Sequence, residues 1–318
     1  MNDLTWQLDQ NITAELAKTC IQEQFFKVHE IVRVGQGADN VVFLVNQKFI
    51  FRFSRHQEMD ALRETENTVL AKLQNIISLQ IPDPIYQGIP TQKFPFHFQG
   101  YEKLPGVALY ESDLTDEQLK LCLCSFAQFL KELHSIKADQ ACTWGAQQSA
   151  YDKTKIDLVI QVLHERVTKV QNLKICEIDR NFVEQEIAVA SKIVIPRNND
   201  CLVHNDLDIR HLLIRDGKLS GIIDWSDVDI NHPVVDFACV WAIFPISMHD
   251  IFFKFYGNID QNVWNYGRIL ALTRSVTLML AGHQMKDAKL LQVAIKSYEI
   301  LKRRKTILSS TCACSCII

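Results

Sequence analysis

Four residues in one short stretch carry side chains suited to a metal-dependent reaction. His204, Asp206, His211 and Asp224 all lie within residues 202–225. Mg²⁺ prefers oxygen ligands such as carboxylates, whereas an imidazole nitrogen suits borderline ions such as Mn²⁺. A metal ion could fit between His211 and Asp224, with Asp206 nearby on the same loop. The stretch therefore predicts a polar site and not a segment of hydrophobic core.

A β-hairpin is expected to position His211 and Asp224. The predicted strands are Leu212–Ile214 and Leu219–Ile223, joined by the turn Arg215–Lys218. The Asp-Gly pair in that turn is a strong short-range hairpin signal. In a hairpin without a bulge, His211 faces Ile222 and Asp224 is its diagonal neighbour on the same face. Such diagonal neighbours lie about 7–8 Å apart.

The pattern His204-x-Asp206, His211, a hairpin and then Asp224-Trp225 resembles the catalytic segment of the aminoglycoside phosphotransferase family. That family shares its fold with choline kinases and, more distantly, with protein kinases. Protein kinases carry H-R-D-x-x-x-x-N and D-F-G at these two places. His211 stands where those kinases usually have Asn, and Ser226 where they have Gly. Some antibiotic kinases of the family also carry His at the first position.

The resemblance covers roughly residues 30–240 and implies a two-lobed α+β fold of the protein-kinase type. A small β-rich lobe, residues 1–103, is expected to bind the nucleotide. A larger, mostly helical lobe, residues 104–318, is expected to provide catalysis and acceptor binding.

The resemblance also implies a role for each residue of the stretch. Asp206 is expected to orient the attacking hydroxyl and accept its proton, while Asp224 and His211 bind the metal ion. The implied cosubstrate is ATP or GTP, and the implied ion is Mg²⁺, with Mn²⁺ as the alternative. His204 is expected to be structural, packing against the loop and hydrogen-bonding it.

The Gly-rich segment Gly35-Gln-Gly37-Ala-Asp-Asn40 lies between two predicted strands near the N-terminus. A turn of this kind lets backbone N–H groups approach phosphates closely, although a plain hairpin turn has the same pattern. The three strands predicted here are 29–34, 40–45 and 48–53. In the family, such a loop covers the nucleotide, so Gly35, Gly37 and Asn40 are candidate nucleotide-binding residues.

Arg52, in the third of these strands, occupies the family position of the base that holds the nucleotide phosphates. A helix predicted from about residue 57 carries Glu66, which matches the acidic partner of that base. A buried positive side chain needs such a partner. Glu64 is the competing candidate, two residues away and on a different helix face.

The expected joint between the lobes follows a β segment near 96–102. In the family, the main chain of this joint contacts the nucleobase. Tyr101, Glu102 and Leu104 are therefore candidates for nucleotide binding.

The larger lobe is predicted to begin with a helix whose N-cap is Thr115, with Gln118 completing a capping box. His134 at its end is interpreted as a packing residue. Residues 152–193 are predicted to form two helices. Asp236 precedes an apolar helical run and is predicted to be its N-cap.

Composition narrows the remaining possibilities. The chain has 318 residues, 47% hydrophobic and 22% charged, which is typical of a globular protein. A net charge of −3 gives no reason to expect nucleic acid as a partner. The ten cysteines show no disulfide or zinc-ligand spacing, which favours the cytoplasm, and no apolar run is long enough to span a membrane. We expect a monomer, with a frayed C-terminal tail at 312–318; metal binding or acylation of that tail is the alternative.

The resemblance makes an aminoglycoside-type antibiotic the first acceptor to expect. A macrolide, choline or a sugar remains open. A different class of function is an inactive nucleotide-binding module, motivated by the departures at His211 and Ser226. A protein-kinase role ranks third, because no activation segment ending in A-P-E follows Trp225.

The charge of the acceptor is a separate expectation. Asp208, Asp224, Asp227 and Asp229 are more carboxylates than one metal ion needs. A mouth lined by carboxylates concentrates cations, although a solvated acidic loop would have the same sequence. The acceptor is therefore expected to be cationic.

Overall fold

The smaller lobe is an antiparallel sheet with one helix on each side. The computed structural model describes residues 12–37, 40–56, 59–148 and 151–303. The strands of this lobe are β1 (Ile31–Gln36), β2 (Asn40–Val45), β3 (Phe49–Ser54), β4 (Tyr86–Gly88) and β5 (Phe98–Glu102), and its helices are α1 (Ala14–Gln24) and α2 (Met59–Leu73). The strand order is β1-β2-β3-β5-β4, with every pairing antiparallel.

Strand β3 shows how the sequence builds this lobe. Alternate residues of a strand point to opposite faces. Phe51 and Phe53 are fully buried on one face, where Phe53 stacks on Phe98 with ring centroids 4.5 Å apart. Arg52 points to the other face and is also buried, towards Glu66 of α2. Burial of each phenylalanine contributes about 2–3 kcal/mol, so β3 fixes both the core and the position of a charged side chain.

The larger lobe is mostly helical. Its helices are α3 (Asp116–Leu133), α4 (Ala138–Thr143), α5 (Ile156–Asn172), α6 (Arg180–Ala190), α7 (Val234–Ile243), α8 (His249–Tyr256), α9 (Gln261–Met285) and α10 (Ala288–Arg303). Its strands are β6 (Val107–Ala108), β7 (Cys201–Val203), β8 (Leu212–Arg215), β9 (Lys218–Ile222) and β10 (Asp229–Asn231). Helix α9 packs against α5, α7 and α10.

The structure confirms the two-lobed α+β architecture and most of the predicted elements. The capping box of α3 is present: Thr115 Oγ1 accepts from the N–H of Gln118, and Gln118 Oε1 accepts from the N–H of Thr115. The region 152–193 contains two helices, α5 and α6, as predicted. The short helix α4 was not predicted. The cysteine-rich tail at 312–318 lies outside the described residues.

The hairpin of β8 and β9 contains a bulge that was not predicted. Leu213 pairs with Gly221 but Ile214 pairs with Leu219, so Ser220 is the extra residue on β9. The Ser220 hydroxyl donates to the main-chain oxygen of Leu213 at 3.1 Å, and this contact stabilises the bulge. Beyond the bulge the register shifts by one residue, and Ile223, not Ile222, hydrogen-bonds the main chain of His211. The predicted register therefore holds between the turn and the bulge, where Ile214 pairs with Leu219, and was wrong beyond the bulge, at His211.

The apolar segments of the larger lobe are buried within the protein. Helix α7 is buried over nearly its whole length. Among the described residues, no single helix is both long and apolar enough to cross a membrane; only the bent pair Val234–Ile243 and Ile246–Tyr256 meets that test when taken together.

Candidate active site

The main chain of the loop from His204 to His211 is held by hydrogen bonds to the carboxylate of Asp236. Its Oδ2 accepts the main-chain N–H of His204 at 2.9 Å, and its Oδ1 accepts that of Asn205 at 2.9 Å. Asp236 lies inside α7, whose N-cap is Pro233, so the predicted N-cap role was wrong. His134 also contacts Asp236, with Nε2 3.1 Å from Oδ2. His134 thus links the end of α3 to the support of this loop, and its burial agrees with a packing role.

His204 is a structural residue, as predicted. It is fully buried, its ring centroid lies 4.7 Å from that of Trp225, and its Nε2 lies 3.1 Å from the main-chain oxygen of Ile223. Burial lowers the pKa of His204, so a neutral ring donates this hydrogen bond. His204 therefore ties the loop to the end of the hairpin.

Asp206 lies in the middle of the loop and is partly exposed. Its Oδ1 lies 2.5 Å from a guanidinium nitrogen of Arg274, and 21% of its side chain is exposed. Arg274 comes from α9, and no sequence motif pointed to it. The ion pair fixes the orientation of the carboxylate while leaving part of it accessible to an incoming group.

Asp208, which was expected to contact the acceptor, points into the protein interior. It is 2% exposed, and Arg210 binds both of its carboxylate oxygens. Burial alone would raise the pKa of Asp208, but its neighbours His211 and Arg210 hold that pKa below its ordinary range. Asp208 is a buried partner of Arg210, and its expected contact with the acceptor is not supported by this geometry.

His211 and Asp224 are closer than expected, because the bulge changes their register. His211 Nε2 lies 3.4 Å from Asp224 Oδ2. His211 Nδ1 lies 2.7 Å from the main-chain oxygen of Asp206, so the proton is assigned to Nδ1 and the lone pair to Nε2. A ring that donates its second nitrogen to a carbonyl is the usual arrangement of a metal-binding histidine.

This pair fits a divalent ion. Adjacent ligands of an octahedral ion with bonds of 2.0–2.1 Å lie about 3 Å apart, close to the separation found here. Asp206, Asp208 and His211 also place ligand atoms within 4.8 Å of one another. Since Arg210 already occupies Asp208, we favour Asp224 and His211 as the protein ligands of Mg²⁺ or Mn²⁺.

Arg52 is fixed between two carboxylates. Glu66 forms a close ion pair with one guanidinium nitrogen, and Asp224 Oδ1 lies 3.0 Å from the other. Burial opposes the charge of Arg52, but these two carboxylates raise its pKa above the ordinary value. Asp224 itself has a pKa lowered to about 2, because the positive charge of Arg52 outweighs the effect of burial. Glu64 is exposed, so Glu66 is the partner.

The Gly-rich segment faces the same region. Arg55 donates to the main-chain oxygen of Gly37 at 2.8 Å, and an added Cβ on Gly37 would meet no atom within 4 Å. Gly35 pairs with Val42 next to an irregularity in β1. The side-chain oxygen of Asn40 accepts from Arg63. Residues 38–39 lie outside the described residues.

The joint between the lobes runs directly after β5. Tyr101 is buried next to Arg52 and has a pKa raised to about 12 by burial. Glu102 is exposed and pairs with Lys48 at 2.7 Å. The N–H of Lys103 donates to the main-chain oxygen of Lys48. Leu104 approaches Gly221 of the hairpin. Contact of Tyr101, Glu102 and Leu104 with a nucleobase stays a prediction.

A cavity of about 310 Å³ opens between the lobes and brings these groups together. Its charged lining residues are Arg52, Arg166, Asp206, Arg210, Asp224, Asp227 and Arg274, and Gly37 and Asn40 also line it. The cavity therefore lies between Arg52 of the smaller lobe and the loop that carries Asp206 in the larger lobe.

A family model described as the phosphotransferase enzyme family matches residues 30–272. The chain belongs to this family. A solved aminoglycoside 2′-phosphotransferase-IIIa with bound GDP is 22% identical, with a TM-score of 0.71, over 93% of this chain and 100% of that one. A macrolide 2′-phosphotransferase type I is 18% identical, with a TM-score of 0.62, over 90% of this chain and 96% of that one. These two likenesses establish the fold.

A curated relative, the uncharacterized protein YcbJ of Bacillus subtilis (strain 168), is 26% identical over 90 residues. That match spans 28% of this phosphotransferase and 28% of the relative's own length.

The acidic residues of this phosphotransferase do not converge on one mouth. Asp224 and Asp227 line the inter-lobe cavity. Asp208 is buried against Arg210, and Asp229 lies in β10 opposite Val203 of β7. The expectation of a cationic acceptor rested on all four carboxylates acting together, and only two of them line this cavity.

Three basic residues near Asp206 were missed in the sequence. Lys153, Arg166 and Arg274 are part of the lining of a second cavity of about 190 Å³, whose acidic residue is Asp206. The available signal was weak: Arg274 is the only charged residue in the otherwise uncharged and mostly apolar stretch 269–280 of α9.

Proposed function

We propose that this phosphotransferase moves the γ-phosphate of ATP or GTP to a hydroxyl of a small molecule. The observation that carries the proposal is the convergence of Arg52, Asp224 and Asp206 on one cavity between the lobes, with Nε2 of His211 3.4 Å from Asp224. Phosphoryl transfer needs little covalent help from the protein, and such a site supplies what it does need, which is positioning and charge.

Each residue of the site has a separate role in the phosphoryl transfer. The acceptor oxygen attacks the γ-phosphorus, and the bond from that phosphorus to the bridging oxygen of the β-phosphate breaks. Asp206 orients the hydroxyl and accepts its proton, and ADP or GDP leaves. Arg52, held by Glu66, lies where it can bind the phosphates of the nucleotide. When bound at Asp224 and His211, Mg²⁺ or Mn²⁺ neutralises phosphate charge.

The acceptor class has two candidates from the solved relatives. Their names describe an aminoglycoside phosphotransferase and a macrolide phosphotransferase. The aminoglycoside, first in the sequence-based expectation, is supported by this likeness and by Asp224 and Asp227 in the inter-lobe cavity. The basic residues beside Asp206 oppose a polycation there.

A coupled assay for ADP or GDP release tests the proposal. The purified chain is incubated with each nucleotide, Mg²⁺ or Mn²⁺, and panels of aminoglycosides, macrolides, sugars and small hydroxylated metabolites. Acceptor-dependent release, with a phosphorylated product seen by mass spectrometry, is expected. Nucleotide binding without release across the panels would instead support an inactive nucleotide-binding module.

A further inference from the structure

The cavity behind Asp206 has an excess of positive charge. It lies among α5, α7 and α9, and its ionisable groups besides Tyr151 are Lys153, Arg166, Arg274 and the carboxylate of Asp206. Three cations thus face one carboxylate. The apolar part of the wall includes Val159, Val235 and Leu270. Such a wall strengthens electrostatic interactions because it excludes water.

Within the described part of the chain, only one of the three cations forms an ion pair with a carboxylate. Arg274 pairs with Asp206 at 2.5 Å. Lys153 instead donates to the main-chain oxygen of Asn205, and Arg166 donates to the hydroxyl of Thr277. Among the described residues, no carboxylate forms an ion pair with Lys153 or Arg166.

The pKa values of these groups reflect the same imbalance. Burial and the positive charge of Arg274 lower the pKa of Lys153 by more than the negative charges of Asp206, Asp227 and Asp236 raise it. Burial and Arg274 likewise lower the pKa of Arg166 by more than the nearby acidic groups, Asp206 among them, raise it. Bringing like charges together in a poorly hydrated place is unfavourable unless an anion joins them. An anionic group between Lys153 and Arg166 would relieve both effects.

The anion that fits this cavity is not the nucleotide triphosphate. The phosphate-holding residue Arg52 and the metal ligand Asp224 line the inter-lobe cavity, whereas Lys153 lines only the cavity behind Asp206. Arg166, Asp206 and Arg274 lie on the boundary and line both. The two cavities therefore meet at the carboxylate that is expected to orient the acceptor hydroxyl.

The size of the cavity limits what enters it. Sites that enclose a whole drug-sized ligand have volumes of about 300–1,000 Å³. The cavity behind Asp206, at about 190 Å³, is smaller than this and suits one charged group with a few attached atoms.

We propose that this cavity is the anion subsite of the acceptor and binds a carboxylate or phosphate group through Lys153 and Arg166. The acceptor is then a small hydroxylated acid or phosphate ester, and its hydroxyl lies at Asp206 when its anionic group is bound. This inference rests on the proposed phosphotransferase function, and it differs from the cationic acceptor expected from the sequence.

Matched acceptors test the subsite directly. Each set contains a neutral polyol or sugar, its carboxylate counterpart, its phosphate ester and an amino derivative, assayed with saturating ATP and Mg²⁺. We expect kcat/KM for a carboxylate or phosphate member to exceed that of the neutral member by about tenfold or more, the scale of one charged hydrogen bond. The higher kcat/KM of the two, for the carboxylate or for the phosphate ester, shows which anionic group the subsite prefers.

Variants assign the effect to the cavity. Lys153→Met and Arg166→Gln are each expected to raise KM for the anionic acceptor about tenfold or more. KM for ATP is expected to stay within about twofold in Lys153→Met, because Lys153 does not line the inter-lobe cavity. Lys169→Gln is the matched control, because Lys169 lies on the same helix as Arg166 and is exposed. An increase in KM for ATP alone would overturn the assignment. So would a preference for neutral or cationic acceptors, and in that case the phosphotransferase function would stand.

A binding experiment separates failure of the anion subsite from failure of the proposed phosphotransferase function. Calorimetry with inorganic phosphate and with a small hydroxy acid is carried out on the full chain saturated with Mg²⁺ and a non-hydrolysable ATP analogue. Binding that is weakened about tenfold or more by either variant, but not by Lys169→Gln, supports the anion subsite even if no acceptor is phosphorylated. Equal binding by the original chain and both variants would overturn the subsite whatever the catalytic result.

Discussion

Oδ1 of Asp236 lies 2.9 Å from the main-chain nitrogen of Asn205, the residue just before Asp206, the proposed proton acceptor. Asn205 has a φ of 67°, in the left-handed region that Asn tolerates better than most residues. A charged hydrogen bond to its main-chain N–H holds the loop in this conformation and so fixes where the next side chain points. Asp236 is therefore a positioning residue for Asp206, although it is 30 positions away in the sequence.

The first prediction follows from this support. Asp236→Asn keeps one acceptor oxygen but turns an NH₂ group towards a main-chain N–H. We expect the free energy of unfolding to fall by about 3 kcal/mol, the scale for a broken buried charged contact. We also expect kcat to fall more than nucleotide affinity, because the loop loses its geometry.

Urea denaturation, steady-state kinetics and nucleotide titration measure these effects. Asp216→Asn is the matched control, since that side chain is 87% exposed in a hairpin turn. A variant of Asp236 with unchanged stability and kcat would show that the loop does not depend on this carboxylate.

The second prediction concerns Asp206 itself. Asp206→Asn removes the group that accepts the proton of the acceptor while keeping nearly the same size. Turnover is expected to drop by at least about 10²-fold, the scale of a positioned acid–base group, while nucleotide binding persists. ADP release and a nucleotide-dependent thermal shift measure the two properties. Near-normal turnover would rule out the catalytic assignment, and Asp216→Asn again serves as control.

The sequence predicted the parts of the fold and site that are encoded locally. The Asp-Gly turn and the capping box of Thr115 and Gln118 depend on patterns within one element or its turn, whereas the pair Arg52 and Glu66 was inferred from the family resemblance. The bulge at Ser220 was missed because the polar face of a strand does not reveal an extra residue. Its consequence is large, since it brings His211 within 3.4 Å of Asp224.

The missed part of the site comes from distant elements. Three basic residues lie near Asp206 but come from separate segments: Lys153 precedes α5, Arg166 lies in α5 and Arg274 lies in α9. Only the packing of these segments brings the three side chains together. A basic residue on a helix usually faces solvent, so its type alone gives no sign of burial. For this reason the count of acidic residues in the loop did not reveal the three basic side chains near Asp206.

The third prediction concerns stability at acidic pH. Burial lowers the pKa of His232 to about 4, against an ordinary value of 6.5, with His134 and Arg197 adding to the shift. A group with a depressed pKa contributes full stability above its unfolded pKa. That contribution is lost as the pH falls from about 6.5 towards 4, where the unfolded chain binds the proton more readily. The total effect is at most about 3 kcal/mol.

His232→Asn tests this by removing the titration. An Asn oxygen can still accept the N–H of Val234, as Nδ1 of His232 does at 3.1 Å. We expect the difference in unfolding free energy between pH 7 and pH 4.5 to be smaller in the variant than in the original chain. Identical pH profiles from urea denaturation would show that His232 does not control this range.

The fourth prediction concerns the turn of the hairpin. Gly217 has a φ of +70°, and an added Cβ would lie 2.1 Å from Nε2 of Gln118. Gly217→Ala is expected to cost about 1–2 kcal/mol from the left-handed backbone, with a further loss from contact with the capping box of α3. Gly217→Asn should cost less, because Asn tolerates this backbone but meets the same neighbour. Urea denaturation measures both; equal losses would mean that contact with Gln118 and not backbone strain is responsible.

The last prediction concerns His211 as a metal ligand. Its Nδ1 is engaged by the main-chain oxygen of Asp206 at 2.7 Å, which leaves Nε2 facing Asp224. A nitrogen ligand suits Mn²⁺ better than Mg²⁺, whereas an amide oxygen suits Mg²⁺. We therefore expect His211→Ala to impair activity, and His211→Asn to retain much of it while shifting the preference from Mn²⁺ towards Mg²⁺.

We measure turnover against the concentration of each ion for the original chain and both variants. This measurement shows whether His211 is a metal ligand. His211→Ala also removes a hydrogen bond to the loop, so a lower kcat alone does not identify a ligand. The metal concentration for half-maximal activity identifies a ligand. A purely structural contact would lower kcat without changing the relative response to Mn²⁺ and Mg²⁺. If that response is the same in all three proteins, His211 acts only through the loop and Asp224 must bind the ion without it.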